Sequence, residues 1–359
     1  MNRKNKNILA VFISFLLAIT VFYFLFYVKI YFGNYLELPY LFKNEENLKL
    51  HKKYSKILHH LRGPGTLKNT QVPENYLFTV INEFSNKKEN VLMQGDSWIR
   101  RTERFEQPRK FINIFSKKNN IGLITSGISS YSPTLMKLQY EVLEKDYDIF
   151  PDIVIAYIDQ TDIGDELCRY KNKRIFDNKK KLIAVSEENY SKGAFEYIKT
   201  YKISEVKLLD HSKFVKNFIL TNFFIDYGFK RFLYKIDSFK TLLTKKEVEA
   251  KCTFATIQNY LIMSKEDELL YFSSRLKDYI IFLKNKPYIK KIILVTFPHR
   301  NHLFSKDEKK IYKVDVSNIV EKIVKNEKKI YHLNFSKLVS EGKISLKKKM
   351  FQENDPGSH

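Results

Sequence analysis

The chain is poor in cysteine, and no cysteine or histidine spacing in it matches a structural zinc site. Only Cys168 and Cys252 are present among 359 residues, too few for the disulfide scaffold of a small secreted domain. Outside the cytoplasm these two could form one bridge, but the sequence does not establish that they pair. These absences argue against a fold held together by disulfides or by zinc.

Uncharged segments are also scarce, and only one is long enough to cross a membrane. Ile8 to Val28 is a run of 21 residues without charge, which as a helix spans about 31 Å against a hydrocarbon core of about 30 Å. Arg3, Lys4 and Lys6 precede it, so the positive-inside rule predicts a cytoplasmic amino terminus. Bulky aromatic residues on its exit side favour a retained anchor over a cleaved signal peptide. We therefore predict a single-pass anchor in a bacterial inner membrane through residues 8–28, with everything after about residue 32 periplasmic or extracellular.

Positive charge is abundant. The formal net charge is +23, which indicates anionic surroundings such as lipid headgroups or acidic glycans. The lysines are scattered rather than striped, and no nucleic-acid-binding motif accompanies them, so no nucleic-acid partner is predicted. The 44% hydrophobic content excludes a disordered chain. The sequence does not define an oligomeric state.

The region after the anchor is predicted to hold one α/β domain. Residues 1–32 form the cytoplasmic tip and anchor, residues 33–86 a membrane-proximal connector, and residues 87–359 the domain. Apolar runs predict strands at residues 91–94, 121–125, 153–158, 292–296 and 329–333. Helices are predicted at Pro133 to Tyr147, with Ser132 as N-cap, and at Lys265 to Lys284, with Ser264 and Asp267 as a capping pair. Strands alternating with helices predict a flavodoxin-like, doubly wound parallel sheet in three α/β/α layers.

This alternation fails between about residues 169 and 260, where the chain becomes basic and aromatic. We predict a mainly helical insertion there. Its segment Phe214 to Ile236 is rich in Phe, Ile and Leu punctuated by Lys and Arg. That pattern fits an interfacial helix, a lid over the site, or helices packed on the edge of the sheet.

Gly95-Asp96-Ser97 directly follows the first predicted strand of the domain. It therefore places a serine hydroxyl at the carboxyl end of a strand, where ligands bind in open α/β sheets. The tripeptide also makes ordinary turns. A serine becomes a nucleophile only with a base, a group that orients the base, and donors for the oxyanion.

Together with three later blocks, this tripeptide resembles the SGNH, or GDSL-type, hydrolase superfamily over about residues 88–165 and 290–359. The resemblance implies that Ser97 is the nucleophile and that its backbone N–H is an oxyanion donor. A second block, residues 124–133, puts Ser130 where the family has an oxyanion glycine, with Gly127 the nearest glycine.

The third block of the family, Gly-X-Asn-Asp, appears as Asp159-Gln160-Thr161-Asp162. Thr161 stands where the family has its oxyanion-binding asparagine, and a hydroxyl donates only one hydrogen bond with a shorter reach. Gln160 supplies an amide if the register slips by one residue. Gln160, Asp162 and Gly127 are candidate substrate-binding residues.

The resemblance requires a histidine as base, and the chain has eight. His359 fits, because Asp355-Pro356-Gly357-Ser358-His359 resembles the final Asp-X-X-His block of the family, with Asp355 four residues before the histidine rather than three. His299 and His302 follow the fourth predicted strand and compete for the role of base or substrate ligand. They lack a third ligand for a metal.

The resemblance implies a serine esterase or acyltransferase that works through an acyl-enzyme and needs no cofactor or metal. Location in the cell envelope makes an O-acyl group, an acetyl above all, on a polysaccharide or other glycan the expected substrate. The alternative is a non-catalytic envelope protein that uses the same fold and a basic surface to hold an anionic glycan or lipid.

Overall fold

The computed structural model describes residues 13–21, 53–62, 77–84, 86–186, 252, 254–303 and 312–345. The chain divides into two compact units, one of Met1–Lys49 with Ala194–Lys251 and one of Leu50–Gly193 with Cys252–His359. In the first unit, residues 13–21 are helical and exposed. Within the described ranges, no helix has the length and apolar character to cross a membrane. The predicted anchor lies largely outside those ranges and stays a prediction.

The second unit is built on a six-stranded sheet and a separate two-stranded one. The strands, in chain order, are β1 (Thr79–Asn82), β2 (Glu89–Gly95), β3 (Ile121–Gly127), β4 (Ile153–Tyr157), β5 (Arg174–Phe176), β6 (Leu182–Val185), β7 (Lys291–Thr296) and β8 (Ile330–Asn334).

The helices in the described part of this unit are α1 (Ser97–Arg104), α2 (Glu106–Lys118), α3 (Pro133–Tyr147), α4 (Asp162–Gly164), α5 (Phe254–Ile262), α6 (Glu266–Lys284), α7 (Arg300–Leu303), α8 (Val316–Val324) and α9 (Phe335–Ser340). A π-helical turn, Asp165–Tyr170, and a 3-10 turn, Lys171–Lys173, follow α4.

The strand order in the large sheet is β1-β3-β2-β4-β7-β8. All neighbours pair in parallel except β1, which pairs antiparallel with β3 at the edge. The five parallel strands follow the flavodoxin-like order, with the first strand between the second and the third. The predicted mixed α/β fold with a parallel central sheet is therefore confirmed, and the switch in strand order falls at β2, whose carboxyl end carries Ser97.

Apolar side chains alternate between the two faces of the strands, as the period of two requires. Leu92 of β2 belongs to a large cluster that includes Leu135 of α3 and Leu276 of α6. Its neighbour Val91 belongs to a small cluster on the opposite face, against which Ile112 of α2 packs. Helices thus lie on both faces of the sheet, giving the three predicted layers.

Several local features differ from the prediction. Helix α6 begins at Glu266, one residue later than predicted, with Lys265 as N-cap and its N–H donating to Glu268 at 2.7 Å, so the predicted Ser264 and Asp267 pair is wrong. The edge strand β1 and the β5–β6 hairpin were not predicted, because runs of three or four residues carry little periodicity. This hairpin is the described start of the predicted helical insertion, and Phe214 to Ile236 lies outside the described residues.

Residues 53–62, within the predicted connector, pack inside the second unit. Tyr54 and Leu58 are buried in its large core cluster, and the His59 N–H donates to Val185 O at 3.1 Å. Arg62 is only 1% exposed and forms a 2.6 Å ion pair with Glu103 of α1. This segment is part of the domain's core.

Cys168 and Cys252 form a disulfide with 5.6 Å between their Cα atoms. The bond joins the π-helical turn after α4 to the residues that precede α5. It therefore links the two ends of the segment 169–251 covalently.

Candidate active site

The turn at Gly95 presents Ser97 at the edge of the sheet. Gly95 has a φ of +154°, and a Cβ there would lie 2.9 Å from the Tyr157 Cβ, so only glycine fits this approach of β2 to β4. The chain then enters α1 at once, with Ser97 as its first residue and Asp96 as its N-cap. Ser97 is half-buried. The residue is therefore partly open to solvent.

Asp96 fixes the start of α1. Its Oδ1 accepts from the Trp98 N–H at 2.9 Å, as an N-cap side chain should. The Ser97 hydroxyl donates to Asp96 Oδ2 at 3.3 Å. Since the first N–H groups of a helix have no intrahelical acceptor, the Ser97 N–H is suited to bind a developing negative charge.

The turns that hold Ser130 and Thr161 lie on the two sides of this position. Gly95 pairs with Gly127 of β3, and Gln94 pairs with Ala156 of β4. The carboxyl ends of these three adjacent strands therefore meet at one edge, with neighbouring strands about 4.8 Å apart. The structure brings the three predicted blocks to this edge.

The turn after β3 is held in a fixed shape. Ser130 adopts a left-handed φ of 64°, and its carbonyl accepts from the Tyr170 hydroxyl at 2.5 Å. Beside it, the Ser129 carbonyl accepts from His60 Nε2 at 2.7 Å. Because both carbonyls are tied down, the peptide N–H groups of this turn are held in a fixed orientation.

Gly127 has a packing role at this edge. A Cβ on it would lie 2.4 Å from the Arg100 backbone N and 2.7 Å from the Ile99 Cβ. Its carbonyl accepts from Arg62 Nε at 2.9 Å. Gly127 therefore sets how closely β3 approaches α1, and its role as a substrate ligand stays a prediction.

The turn after β4 is closed by its own side chains. The Thr161 hydroxyl and its N–H both donate to Asp159 Oδ2, the N–H at 2.9 Å, and the Asp159 N–H donates to Asp162 Oδ2 at 3.1 Å. The hydroxyl proton of Thr161 is therefore already donated to Asp159. Thr161 could donate to an oxyanion only if that hydrogen bond broke.

Gln160 connects this turn to the segments that follow β7. Its amide nitrogen donates to Phe297 O at 3.0 Å and to Asp315 Oδ1 at 2.9 Å, and its amide oxygen accepts from the Val316 N–H at 2.9 Å. Gln160 is fully buried. Its polar atoms brace the edge of the sheet rather than pointing to a ligand.

Four aspartates are buried at this edge, a feature that sequence reasoning identified only in part. Asp96, Asp159, Asp162 and Asp165 are each at most 3% exposed. Burial raises the pKa of Asp96 and of Asp162 well above the usual range, and the charge of Asp159 raises both further. Burial also raises the pKa of Asp165 to about 7, against the opposing effect of Arg169, whose Nε lies 2.7 Å from it. Burial therefore favours the protonated form of these three carboxyls.

In the described part of the chain, no group of histidine, cysteine and acidic side chains has an arrangement that could hold a metal ion. Burial favours the protonated form of Asp96, Asp162 and Asp165, whereas Asp159 acts on its neighbours through its negative charge. That charge disfavours an anionic group in the depth of the site.

His299 and His302 are held by the loop after β7. His299 is 4% exposed, and its Nδ1 accepts from the Asn301 N–H at 3.1 Å. The Nδ1 of His302 accepts from the His299 N–H at 3.1 Å, and its Nε2 lies 3.0 Å from Val314 O. Neutral imidazole has one acceptor nitrogen, so both rings already use their basic lone pair.

The other described histidines are engaged in the same way. His59 and His60 form a chain in which Lys173 Nζ lies 3.2 Å from His59 Nε2 and the two Nδ1 atoms lie 2.8 Å apart. Burial lowers the pKa of His59 to about 2, so this ring is neutral. His332 lies between Thr296 and Glu321, at 2.8 Å from each.

The predicted base and its orienting carboxylate, His359 and Asp355, lie outside the described residues. Within the described part of the chain, the hydroxyl of Ser97 has one hydrogen-bond partner, Asp96.

Aromatic rings surround Trp98, the residue after Ser97, and we call this group the aromatic wall. The ring centroids of Trp98 lie 5.9 Å from Tyr157 and 5.7 Å from Phe297, and Phe297 lies 5.2 Å from Phe335 of α9. Tyr157, Phe297 and Phe335 follow or end three successive strands of the sheet. They form an apolar surface around Trp98, which follows Ser97 directly in the chain.

Models of known protein families give no match to the chain, and neither do curated proteins. Among solved structures, similarity is found to two mutants of Axe2 from Geobacillus stearothermophilus, described as an acetyl-xylooligosaccharide esterase and as an acetylxylan esterase. The first is 12% identical, with a TM-score of 0.35, over 76% of this chain and 86% of the other. The second is 13% identical, with a TM-score of 0.33, over 74% and 84%. Similarity at this level assigns neither a reaction nor a substrate to this chain.

Proposed function

We propose that this chain is an SGNH-type serine esterase or acyltransferase that uses Ser97 as its nucleophile. The position of Ser97 carries the proposal. It is the first residue of α1, it follows the tight Gly95 turn at the carboxyl end of β2, and it is half-buried rather than closed off. Strand order changes at β2, and ligands bind at such switch points in open α/β sheets.

In the proposed reaction, the Ser97 oxygen bonds to the acyl carbon while the Ser97 proton passes to His359. The Ser97 N–H and the braced turn at Ser130 stabilise the oxyanion. The bond to the alcohol then breaks, and the alcohol leaves with the proton from His359. Water or a sugar hydroxyl attacks the acyl-enzyme in the reverse sense, restoring Ser97.

The assignment of His359 as base, with Asp355 as its orienting group, gains support from the other histidines. In the five described histidines, the basic ring nitrogen already accepts a hydrogen bond or is paired. These histidines are His59, His60, His299, His302 and His332. This favours a base from outside this set, and of His51, His211 and His359 only His359 stands in a block that resembles that of the family.

We propose a neutral, acetylated glycan of the cell envelope as the substrate. The wall formed by Trp98 and Phe297 offers aromatic faces for a sugar ring or an acyl methyl group. The buried aspartates beside it oppose an anionic substrate. The disulfide between Cys168 and Cys252 fits an oxidising compartment, in keeping with a periplasmic or extracellular domain.

The competing function is a non-catalytic envelope protein that binds an anionic glycan or lipid. The Thr161 hydroxyl, which already donates to Asp159, favours it. The position of Ser97 opposes it, since a binding protein has no need of a serine at the start of α1.

The test is fluorophosphonate labelling and hydrolysis of small acetyl esters by the full chain. Ser97→Ala should abolish both and leave the fold intact, because the hydroxyl makes only one long hydrogen bond there. Ser129→Ala, which removes an exposed hydroxyl from the neighbouring turn, is the control and should label normally. His359→Ala should lose most of the rate and His302→Ala little of it. Equal hydrolysis with and without Ser97 would contradict catalysis by Ser97. The function would then be the binding of an anionic glycan or lipid.

A further inference from the structure

Helix α2 has an apolar face turned toward solvent as well as one turned toward the core. Its inner face carries Ile112, which packs on the small core cluster. On its outer face, Phe111, Ile114 and Phe115 are 70%, 56% and 52% exposed. The spacing i, i+3, i+4 puts these three on one side of the helix. We call them the outer face of α2.

Large exposed apolar groups on a soluble domain mark an interaction site when they are contiguous. The rings of Phe111 and Phe115 are stacked, with centroids 6.3 Å apart. They therefore form one surface with Ile114 rather than isolated exposures.

The charges closest to the outer face are lysines, and Glu106, the acidic residue of α2, lies in its first turn. Lys118, at i+7 from Phe111, extends the same face, and Lys110 and Lys117 lie beside it, all three exposed. Lysine stems cover apolar surface while their ammonium groups reach a polar layer. Aromatic groups with lysines around them are typical of helices that lie in the interface of an anionic bilayer.

A second copy of the chain fits the outer face poorly. Three side chains at these exposures offer roughly 350 Å², whereas a stable interface buries about 800 Å² on each partner. In a two-fold contact the lysines of both copies would also lie close together, and like charges repel.

We propose that the outer face of α2 docks on an anionic lipid bilayer. Phe111, Ile114 and Phe115 enter the headgroup boundary, and Lys110, Lys117 and Lys118 bind anionic headgroups. The docking is independent of the reaction at Ser97. It gives the domain a second contact with the membrane besides the predicted anchor, and so fixes how the domain lies on it.

The test uses the full chain in vesicles, with tryptophan placed on the outer face. Phe115→Trp is compared with Leu270→Trp, which sits on α6 at 63% exposure as a matched control. Lipids with brominated acyl chains quench a tryptophan that reaches the acyl boundary. The native Trp98 also emits, so the emission of the unsubstituted chain is subtracted from that of each variant. In vesicles of phosphatidylglycerol and phosphatidylcholine, the emission added at position 115 should fall roughly twofold while that added at position 270 barely changes.

Two further arms decide the partner. Replacing Lys110, Lys117 and Lys118 by Glu in the Phe115→Trp chain, or using phosphatidylcholine alone, should relieve most of the quenching. Equal quenching at positions 115 and 270 would overturn the proposal. So would a blue-shifted, unquenched tryptophan at position 115, which would show that protein covers the face, or quenching that does not depend on the lysines. Hydrolysis of acetyl esters should be unchanged in these variants. The test of membrane docking is therefore independent of the test of catalysis by Ser97→Ala.

Discussion

Asp165 is a carboxyl group that the fold keeps from ionising. Its pKa is raised by burial to about 7, although Arg169 opposes the rise. An unfolded aspartate ionises near its ordinary value of about 3.9. Between about pH 4 and pH 7 the unfolded chain has therefore released a proton that the folded chain retains. The stabilising contribution is complete below this window and is lost as the pH rises through it.

Asp165→Asn should remove this dependence. We expect the free energy of unfolding to vary with pH less steeply between 4 and 7, by up to about 1.4 kcal/mol per pH unit for one proton. Denaturant titrations at several pH values measure the slope. Asp278→Asn, an exposed aspartate paired with Arg275 on α6, should leave the slope as it is. An unchanged slope in Asp165→Asn would mean that Asp165 is ionised in the folded state.

The residue scale is also where sequence reasoning reached its limit. It located Ser97, because a serine after an apolar run is visible in the sequence. It did not show that the polar side-chain atoms of Gln160 and His302 form hydrogen bonds with backbone groups. Those partners lie far away along the chain or depend on the shape of a loop. Asp159 and Asp165 differ from other aspartates only through burial, which the sequence pattern around them does not reveal.

At the scale of elements, the fit between β3 and α1 depends on the absence of a side chain at Gly127. An added Cβ would lie 2.4 Å from the Arg100 backbone N and 2.8 Å from Asp96 O. Both are backbone atoms at the start of α1, so the helix must move, and Ser97 with it. Gly127→Ala should cost about 1 to 3 kcal/mol and most of the esterase activity.

Gly342→Ala is the control for that change. Nothing lies within 4 Å of its position, and its φ of +68° adds only left-handed strain, about 1 kcal/mol. Activity should be retained. Thermal unfolding and ester hydrolysis measure the two effects, and a fully active Gly127→Ala would show that α1 tolerates the shift.

The buried pair of Arg62 and Glu103 fastens the segment 53–62 to α1 and the sheet. Glu103→Ala leaves the Arg62 guanidinium buried without its carboxylate, which should cost about 3 to 5 kcal/mol. Asp146→Ala removes a partly exposed ion pair with Lys53 and should cost under about 1 kcal/mol. Denaturant unfolding compares them, and equal costs would contradict the role given to the buried pair.

The five parallel strands were predictable because each is a dense apolar run between helices. The edge strand β1 and the β5–β6 hairpin were not, since they are three or four residues long and their pairing depends on distant partners. The predicted boundary at residue 87 also differs from the structure, where Tyr54, Leu58 and Arg62 are buried in the domain. Single buried residues in a polar stretch leave no periodic pattern.

At the scale of the whole molecule, the predicted topology can be tested directly. The uncharged run Ile8 to Val28, with Arg3 to Lys6 before it, should place the bulk of the chain outside the cytoplasm. An alkaline phosphatase fused after residue 40 should be active, and a cytoplasmic reporter at the same point should be silent. Activity of the cytoplasmic reporter alone would contradict this orientation.

The disulfide between Cys168 and Cys252 changes how the molecule would respond to mechanical load. The two residues are 84 apart in sequence but 5.6 Å apart in space. If the domain were pulled from its two termini, the enclosed loop could not lengthen the chain while the bond is intact. Reduction would release on the order of 290 Å of extra contour length. The bond thus divides the polypeptide into a load-bearing path and a covalent ring that carries no tension.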